Sequence, residues 1–347
     1  MINATKYKQI LNNLKGKTIA IVYIFENEDA PGFQHYWVWK SDIITGWMLA
    51  IQELGCVPFI LDVRTFSQKA IHRTLPTIDY VINLNCGSVK LSAMSLIPSM
   101  CSFLGIPCIP CDAASIVTSE NKYISNLLAT ALALNVPKSL PVTCENGIYR
   151  PLNLGSSIGV RRGCVEVNTD EGVYQEFIPG YDITIPIVYN PMLQGLDILP
   201  PILYLPKSLN PNWIYGENEK NNDDSFSTIP ILNVELSLKK ELLSFARIFP
   251  INSFGRIDAR IKTCDTELSN EIEHVCLRRK DFYFIEINSM PTIEPEDSFE
   301  LAYTTARNDP QNCFFNCIQT YLEVFPSKRI NSFILSSSMI ALAKAKY

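Results

Sequence analysis

The sequence predicts an α/β fold for the N-terminal part of the chain and an α+β arrangement for the C-terminal half. Strand-like and helix-like segments alternate up to about residue 110, as in a doubly wound parallel sheet. From residue 147 onward, strand-like runs follow one another without intervening helices, which indicates an antiparallel sheet. The chain has 347 residues, of which 47% are hydrophobic and 19% charged, so it is long enough to form two or three sub-domains.

The first predicted strand, residues 17–25, is an almost uninterrupted apolar run, which is typical of a strand covered on both faces. Three further runs have the composition of strands, and they span residues 56–63, 78–85 and 106–111. Ligands bind at the carboxyl ends of the strands in parallel sheets, so the loop at 25–37 is a candidate wall of a binding site. A solvated surface loop is an equally good interpretation of this polar segment.

Two helices are predicted between these strands. Apolar residues recur at helical spacing over residues 41–55, where Ser41 can cap the first turn and Gly55 ends the last one. A second helix is predicted over residues 92–105, although Pro98 must kink or break it. Helices between apolar strands support the parallel arrangement.

The second half begins with a predicted helix at residues 119–136, which ends before Pro137. The elements predicted after it are two strands around a small-residue loop at 147–167, two strands around a Pro-Gly turn at 173–190, a long polar loop at 205–228, a helix at 232–249, and strands at 254–263 and 282–288. Residues 267–281 are polar and are predicted to form a loop insertion. The terminal segment 332–347 is predicted as a weakly amphipathic helix, to which the sequence assigns no role.

The composition excludes several classes of function. The net charge of −5 argues against non-specific binding to nucleic acid, which requires a basic surface. No apolar run reaches the roughly 18 residues that a membrane span requires, and the N-terminal segment lacks the apolar stretch of a signal peptide. The 11 cysteines have no repeated pair spacing, so we expect reduced thiols in a cytoplasmic protein. The three histidines are scattered, which argues against a histidine-based metal site.

Two segments near the C-terminal end of the predicted sheet place polar groups on a strand face. Arg256 and Asp258 are two residues apart, and so are Glu286 and Asn288, so each pair points to one side of its strand. If the two strands are neighbours, two carboxylates and one carboxamide converge, and Mg²⁺ prefers such oxygen ligands. Arg256 beside them can neutralise a phosphoryl group or an oxyanion. A salt-bridged pair of strands is an equally good interpretation of these residues alone.

The segment NLGSSIGV, residues 153–160, lies between two strand-like runs. Gly155 and Gly159 allow close approach of the backbone to a ligand, while Ser156 and Ser157 add hydroxyl and amide donors that can bind phosphate. Glycine and serine are common in any turn, so this serine loop is a weak signal by itself. It is not a Walker loop, because no Gly-Lys-Ser/Thr sequence follows.

Taken in order, these elements resemble the ATP-grasp enzymes, and within them the D-alanine–D-alanine ligase branch. The resemblance covers about residues 80–300 and rests on the stretches SENKYISN (119–126), YRPLNLGSSIGV (149–160), QEFIPGYDITI (175–185), and GRIDARI (255–261) with FIEINSMP (284–291). It implies an N-terminal α/β domain at 1–114, a central ATP-grasp sub-domain with the serine loop at 115–180, and a C-terminal ATP-grasp sub-domain with the metal site at 181–347.

The resemblance also implies roles for individual residues. The implied ATP-binding residues are Lys122, Arg150, Ser156, Ser157, Gln175, Glu176, Ile178 and Asp182. Arg150 stands where the branch usually has lysine, Gln175 and Asp182 stand at the positions of family glutamates, and Ile178 would contact adenine through its backbone. The catalytic residues would be Arg256, which stabilises the tetrahedral intermediate, and Ser157, in the loop that closes over the site.

The implied activity is that of an ATP-dependent ligase that forms a carbon–nitrogen bond. The acid substrate attacks the γ-phosphate of ATP and becomes an acyl phosphate, and an amine then displaces phosphate. Two Mg²⁺ ions, held by Asp258, Glu286 and Asn288, would neutralise charge during phosphoryl transfer. The partners are ATP, an amino acid and a small acid acceptor, and the oligomeric state, including a homodimer, stays open.

The chain departs from the branch at both substrate pockets. Ligases that make the cell-wall dipeptide carry a Gly-Gly-x-Ser-x-Glu-type loop after the first strand, and the loop at 25–37 lacks it. The Met-Pro-Gly that follows the metal asparagine ends in Thr292 here, so Thr292 and Glu294 are candidate substrate residues. Four aromatic residues could stack on a ring substrate, although packing in the core is the more common role of each. They are Phe33, Tyr36, Trp37 and Trp39.

With these departures, the chain resembles the cyanobacterial ligases that couple an amino acid to mycosporine-glycine in sunscreen biosynthesis. Their acid is a vinylogous one, a cyclohexenone oxygen that ATP phosphorylates. Two alternatives stay open. One is a dipeptide or amide ligase that acts on ordinary amino acids. The other is a degenerate nucleotide-binding protein without turnover, which the changes at Arg150, Gln175 and Thr292 keep open.

Overall fold

A computed structural model gives the architecture of most of the chain. The residues it describes are 4–25, 39–86, 93–141, 144–164, 171–216, 219, 225–249, 251, 253–262, 276–294, 296–325 and 327–345. Most of the predicted loop at 25–37, including Phe33, Tyr36 and Trp37, lies outside the described residues. The same holds for most of the predicted insertion at 267–281.

The elements follow in chain order. The helices are α1 (Ala4–Asn12), α2 (Ser41–Glu53), α3 (Val63–Ile71), α4 (Leu96–Leu104), α5 (Ala113–Glu120), α6 (Lys122–Ala131), α7 (Leu236–Ile248), α8 (Ser298–Asn308), α9 (Phe315–Val324) and α10 (Ile330–Ala345). The strands are β1 (Thr18–Tyr23), β2 (Val57–Asp62), β3 (Tyr80–Leu84), β4 (Cys108–Ile109), β5 (Gly147–Pro151), β6 (Arg161–Arg162), β7 (Gly172–Glu176), β8 (Gly180–Asn190), β9 (Gly195–Ile198), β10 (Ile202–Pro206), β11 (Phe226–Pro230), β12 (Asn233–Val234), β13 (Phe254–Lys262), β14 (Cys276–Leu277) and β15 (Phe282–Asn288).

The predicted parallel sheet is confirmed. In the described part of the chain its strands pair in the order β2-β1-β3-β4, all parallel. Alternate residues of β1 pack into two different apolar cores, with Ile19 and Ile21 facing α2, and Ala20 and Val22 facing α3 and α4. This burial on both faces explains why the strand is apolar without interruption. Helix α3, which begins directly after β2, is not among the predicted elements.

Three predictions about helices need correction. Lys40 rather than Ser41 is the N-cap of α2, whereas Gly55 follows its C-cap with a φ of 72° and ends the helix as predicted. Pro98 lies in the first turn of α4, where a missing N–H costs no hydrogen bond, so it does not kink the helix. The single helix predicted at 119–136 is two helices, because the side chain of Asn121 caps a new helix by accepting from Ile124 N.

The predicted antiparallel sheets are also confirmed. Within the described residues, β6-β5-β7 form a small sheet, and β11-β10-β8-β13-β15 form a larger one in which β9 also pairs with β8. Strands β13 and β15 are neighbours, as predicted, and their register sets Asp258 opposite Glu286 and Arg256 opposite Asn288. One face of the larger sheet packs on α7, so alternate positions such as Ile257 are buried. The polar positions of β13 therefore share the opposite face.

The terminal helix α10 is buried rather than weakly amphipathic. Phe333 and Ile334 lie in a core that also contains residues of α1, α2, α8 and α9, and Ser336 to Ser338 are fully buried as well. A helix that is covered all round needs no polar face, and this explains its lack of a clear pattern. It packs on α2 and β8, so the C-terminal end of the chain returns to the N-terminal sheet. No helix among the described residues is long and apolar enough to cross a membrane.

Candidate functional site

The candidate site is a cleft between the small antiparallel sheet and the polar face of the larger one. It encloses about 710 Å³, including space that is open to solvent. Eight predicted site residues line it together. They are Lys122, Arg150, Ser157, Gln175, Glu176, Ile178, Asp182 and Glu286. Ser156, Arg256, Asp258, Asn288, Thr292 and Glu294 are not part of this lining.

Lys122 connects three parts of the cleft. As the first residue of α6, its position is fixed by the Asn121 cap, and its side chain is buried. Its Nζ donates to the carbonyl oxygen of Leu154 in the serine loop at 2.8 Å and forms an ion pair with Glu286 Oε2 at 3.1 Å. Burial raises the pKa of Glu286, but the charges of Lys122 and Arg150 outweigh it, so the net pKa is lowered. Glu286 is therefore ionised at neutral pH.

Arg150 on β5 is buried among neutral partners. Its Nη1 donates to the carbonyl oxygen of Ile285 at 3.0 Å, and its Nη2 donates to Oε1 of Gln175. Gln175 is fixed in turn, because its Nε2 donates to Pro137 O at 2.8 Å. The Nε of Arg150 is buried and has no hydrogen-bond partner among the described residues, and burial lowers the pKa of this guanidinium. A buried cation without a carboxylate partner is costly, so this position favours an anion in the cleft.

The serine loop has an unusual backbone conformation. Ser156 and Ser157 have φ angles of 55° and 64°, and Gly159 has 71°. Two successive non-glycine residues in the left-handed region carry strain, and such strain is concentrated at ligand-binding and catalytic sites. The loop is held by a hydrogen bond from Ser157 Oγ to the carbonyl oxygen of Tyr215 at 3.2 Å. It therefore contacts the 207–216 loop, which forms another wall of the cleft.

The predicted metal-binding residues lie on adjacent strands beside the cleft. Asp258 Oδ1 accepts from Thr184 Oγ1 at 2.5 Å, and its Oδ2 accepts from Arg256 Nη2 at 2.8 Å. Asn288 Oδ1 accepts from Met290 N at 3.0 Å. Burial lowers the pKa of Arg256, but the charge of Asp258 and their hydrogen bond raise it more, so Arg256 remains a cation. Among the described residues, no three His, Cys, Asp or Glu side chains form a metal-binding cluster, so a metal here would need the amide oxygen of Asn288 beside Asp258 and Glu286.

Arg260 is a site residue that the sequence predictions missed. It is buried, lines the cleft, and binds Asp182 Oδ2 through Nη1 at 2.7 Å and Ile178 O through Nε at 2.9 Å. The Ile178 carbonyl is therefore occupied by Arg260, which leaves the N–H of Ile178 as its backbone group for a ligand. The spacing in GRIDARI contained the signal, because Arg260 shares a strand face with Arg256 and Asp258.

The remaining predicted residues are more peripheral. Glu176 lines the cleft, and its Oε1 accepts from Lys138 N at 3.0 Å. Glu294 forms an ion pair with Lys40 at 3.3 Å, in which the two side chains are 31% and 72% exposed. Thr292 is half-buried in the same loop after β15. Trp39 Nε1 donates to the carbonyl oxygen of Leu84, so this indole is held against the carboxyl end of β3.

Solved structures share this fold, although no family model and no curated protein matches the sequence. D-alanyl-alanine synthetase A from Vibrio cholerae aligns with a TM-score of 0.58 and 16% identity, over 95% of this chain and 99% of its own. D-alanine–D-alanine ligase from Bacillus anthracis, complexed with ATP, aligns with a TM-score of 0.55 and 16% identity, over 95% and 99%. The VanG D-Ala:D-Ser ligase from Enterococcus faecalis gives 0.55 and 12%, over 94% and 99%.

These alignments cover nearly the whole chain and nearly the whole of each neighbour. They confirm the predicted fold class, a mixed α/β architecture in which the described residues form a four-stranded parallel sheet, two antiparallel sheets and a short parallel pair, β12 with β14, as in the ATP-grasp fold of the D-alanine–D-alanine ligases. At 12–16% identity the likeness extends to the fold, and what this chain does must be argued from its own residues.

Proposed function

We propose that this protein is an ATP-dependent ligase that joins an acid to the amine of an amino acid. The observation that carries the proposal is Arg150, a buried guanidinium with neutral partners and an unpartnered Nε at the wall of the cleft. A polyanion such as a nucleotide triphosphate would supply the missing counter-charge. The neighbouring fold supports this choice, because one of the aligned ligases was solved with ATP.

The cleft residues suggest how the nucleotide would lie. Lys122 and Arg150 supply positive charge next to the serine loop, whose Ser156 and Ser157 can donate to phosphate oxygens. The segment from Gln175 to Asp182 runs from the end of β7 into β8 and also lines the cleft, and its residues Gln175, Glu176, Ile178 and Asp182 would contact the base and the ribose. The triphosphate would therefore point from the small sheet towards Glu286.

The donor set beside the phosphates fits Mg²⁺. Asp258, Glu286 and Asn288 offer only oxygen ligands from two adjacent strands, and the lowered pKa of Glu286 keeps that ligand ionised. When bound, Mg²⁺ would neutralise charge on the phosphate oxygens, and the two-ion arrangement of the resemblance is part of this proposal. Arg256 is held beside Asp258 by two hydrogen bonds, from which position its remaining N–H groups can bind an oxyanion.

The proposed reaction has two steps. An oxygen of the acid, either a carboxylate oxygen or the cyclohexenone oxygen of a vinylogous acid, attacks the γ-phosphorus, the bond to the β-phosphate oxygen breaks, and ADP leaves with that electron pair. The amine then attacks the carbon that carries the phosphorylated oxygen, loses a proton, and expels inorganic phosphate. The serine loop, tied to Tyr215 through Ser157, would cover the acyl phosphate and exclude water that would hydrolyse it.

For the acid, we propose a ring substrate of the mycosporine-glycine type, phosphorylated on a cyclohexenone oxygen. Support comes from the replaced substrate loops: Thr292 and Glu294 follow the metal strand where the dipeptide ligases have a glycine-containing turn. Trp39 lies near the carboxyl end of the parallel sheet and offers an aromatic face. The alternative acid is an ordinary amino acid, as the names of the aligned D-alanine ligases suggest.

Phosphate release with matched substrate panels tests both levels of the proposal. The protein is incubated with ATP, Mg²⁺ and an amine, and either mycosporine-glycine or a D- or L-amino acid serves as the acid. Release that requires both acid and amine is expected. Turnover with two simple amino acids but not with the cyclohexenone would remove the ring substrate and leave the ligase. ATP binding without any turnover would support the degenerate nucleotide-binding alternative.

A further inference from the structure

We infer that Arg260 is a positioning residue of the nucleotide site, which holds Asp182 and the adjoining turn in the geometry that reads the ribose. The inference rests on the proposed function, because it takes the occupant of the cleft to be a nucleotide. Arg260 lies on β13, two residues beyond Asp258, and its side chain is 6% exposed. It is not among the residues proposed above to bind the phosphates or the metal.

The guanidinium of Arg260 uses its fork of donors on backbone carbonyls and one carboxylate. Nε donates to Ile178 O at 2.9 Å and Nη1 to Asp182 Oδ2 at 2.7 Å. Nη2 donates to Gly180 O at 2.5 Å and to Trp213 O at 2.9 Å. A lysine has the same charge but no planar fork, so it cannot reproduce bonds in this many directions. The contacts join the turn between β7 and β8 to the 207–216 loop.

The turn itself is pressed against β13 beside Arg260. Gly180 has a φ of 145°, and a Cβ at this position would lie 1.9 Å from the carbonyl oxygen of Ile261. Its N–H also donates to Pro211 O at 2.7 Å. The backbone from Ile178 to Gly180 is thus fixed by close packing on one side and by Arg260 on the other. Its conformation therefore depends on Arg260 and on the packing against β13.

Asp182 is held in one orientation by two donors on the same oxygen. Arg260 Nη1 and the backbone N–H of Tyr215, at 2.8 Å, both bind Oδ2. No described residue donates to Oδ1, and Asp182 lines the cleft. Oδ1 is therefore the acceptor that a ribose hydroxyl would meet. Without Arg260 the carboxylate can rotate, and the preference for a hydroxyl at that position should be lost.

A second arginine provides a matched control. Phe177 lies between two guanidinium groups, Arg162 at 3.8 Å and Arg260 at 4.9 Å from the ring centroid. Arg162 also binds the 207–216 loop, since its Nη2 donates to Asn212 Oδ1 at 3.0 Å. It has no bond to Asp182, Ile178 or Gly180. Replacing Arg162 thus removes a similar charge and cation–π contact without releasing Asp182.

The experiment compares the binding of ATP with that of 2′-deoxyATP and 3′-deoxyATP by calorimetry, with Mg²⁺ present, for the full chain. The wild type should bind ATP at least tenfold more tightly than one of the deoxynucleotides, because that analogue leaves Asp182 Oδ1 without a donor. Arg260→Met should bind ATP about tenfold more weakly and reduce the preference to less than twofold. Arg260→Lys should restore only part of the preference, and Arg162→Met should retain it.

Each outcome bears on the inference. A wild-type preference that persists in Arg260→Met, or one that is lost equally in Arg162→Met, overturns the positioning role. ATP binding without any ribose preference in the wild type also overturns it and leaves the proposed function intact, whereas a wild type that binds no ATP removes both. If circular dichroism shows that Arg260→Met is unfolded, Arg260→Gln takes its place, with the same expected loss of preference.

Discussion

The two sides of the cleft neutralise their buried cations in different ways. On the side of the larger sheet, Arg260 pairs with Asp182, and Lys122 pairs with Glu286. On the side of the small sheet, Arg150 binds a carbonyl oxygen and the neutral Gln175, and forms no ion pair with a described carboxylate. The larger sheet thus pairs its cations directly with carboxylates, whereas the buried Arg150 of the small sheet interacts with Glu286 and Asp182 only at longer range.

The small-sheet side of the cleft is therefore where a ligand anion is needed. Removing one member of a buried ion pair leaves an uncompensated charge. Mutations on the side of the larger sheet should therefore mainly lower the free energy of unfolding. Removing a buried cation that forms no ion pair also removes the cost of its desolvation. Mutation of Arg150 in the small sheet should therefore mainly lower ligand affinity. Mutations on the two sides of the cleft should therefore differ in whether they affect stability or ligand binding.

The largest effect is expected at Glu286, because it belongs to both the ion pair and the proposed metal ligands. Glu286→Gln should lower Mg²⁺-dependent ATP consumption at least 10³-fold, since the carboxylate charge that holds the metal is lost. Gln can still accept from Lys122, so circular dichroism should show an intact fold. Glu323→Gln, at an exposed position on α9, is the control. An unaltered rate in Glu286→Gln would remove the metal assignment.

Lys122→Met should have the largest effect on stability. It leaves Glu286 half-buried without its main counter-charge, and we expect a loss of about 3 kcal/mol in the free energy of unfolding. Urea denaturation at pH 7 measures it. The control is Lys17→Met, which breaks an ion pair with Asp79 whose lysine is 47% exposed and should have little effect. Equal losses in the two variants would contradict the distinction between buried and exposed pairs.

Arg150→Met should act on binding rather than on stability. The variant loses two hydrogen bonds but also a buried charge that has no direct ion pair, so its free energy of unfolding without nucleotide should lie within about 1 kcal/mol of wild type. ATP affinity should fall about 100-fold, and the ATP-induced rise in Tm should shrink accordingly. Arg161→Met, at an exposed position on β6, should keep the full rise. If Arg150→Met were strongly destabilised but still bound ATP, Arg150 would act on stability rather than on nucleotide binding.

The pH dependence of the Lys122→Met effect follows from the pKa of Glu286. In the wild type this pKa lies below its unfolded value of about 4.3, so the stability it contributes is complete above that pH and is lost as the pH falls through the folded pKa. In Lys122→Met, the pKa of Glu286 should be higher than in the wild type, because only Arg150 and Arg256 then oppose the effect of burial. The difference in unfolding free energy between the two proteins should therefore grow between about pH 4 and pH 7. Urea denaturation at several pH values checks this, and a constant difference would contradict it.

Much of the fold could be predicted because its strands have clear patterns. The uninterrupted apolar run of β1 reflects burial on both faces, and the same-face pairs of β13 and β15 correctly predicted that these strands are neighbours. Asn121 breaks the helix predicted at 119–136 because its side chain caps a new helix within a continuous apolar pattern. Helix α10 could not be assigned a role, because burial on every side removes the polar face that pattern analysis relies on.

The candidate site could be predicted only in part, because the sequence shows patterns within a strand but not contacts between distant residues. Residues that share a strand face are visible in the sequence, and Arg260 could have been found in that way. The partners of Arg150 could not, because one of them, Ile285, is 135 residues away and binds through its backbone. The contrast between the two sides of the cleft is thus a property of tertiary structure.

The smallest effect is expected at Thr292, in the loop where the larger-sheet side of the cleft ends. Thr292→Gly removes a β-branched side chain from a half-buried position and widens the approach to the reacting atoms. ATP affinity should stay within twofold of wild type, because no nucleotide-binding residue changes. The kcat/KM ratio between a bulky ring acid and a small amino acid should rise by up to about tenfold. Thr292→Ser, which keeps a Cβ, should give a smaller change, and equal ratios in all three proteins would place Thr292 outside the acid pocket.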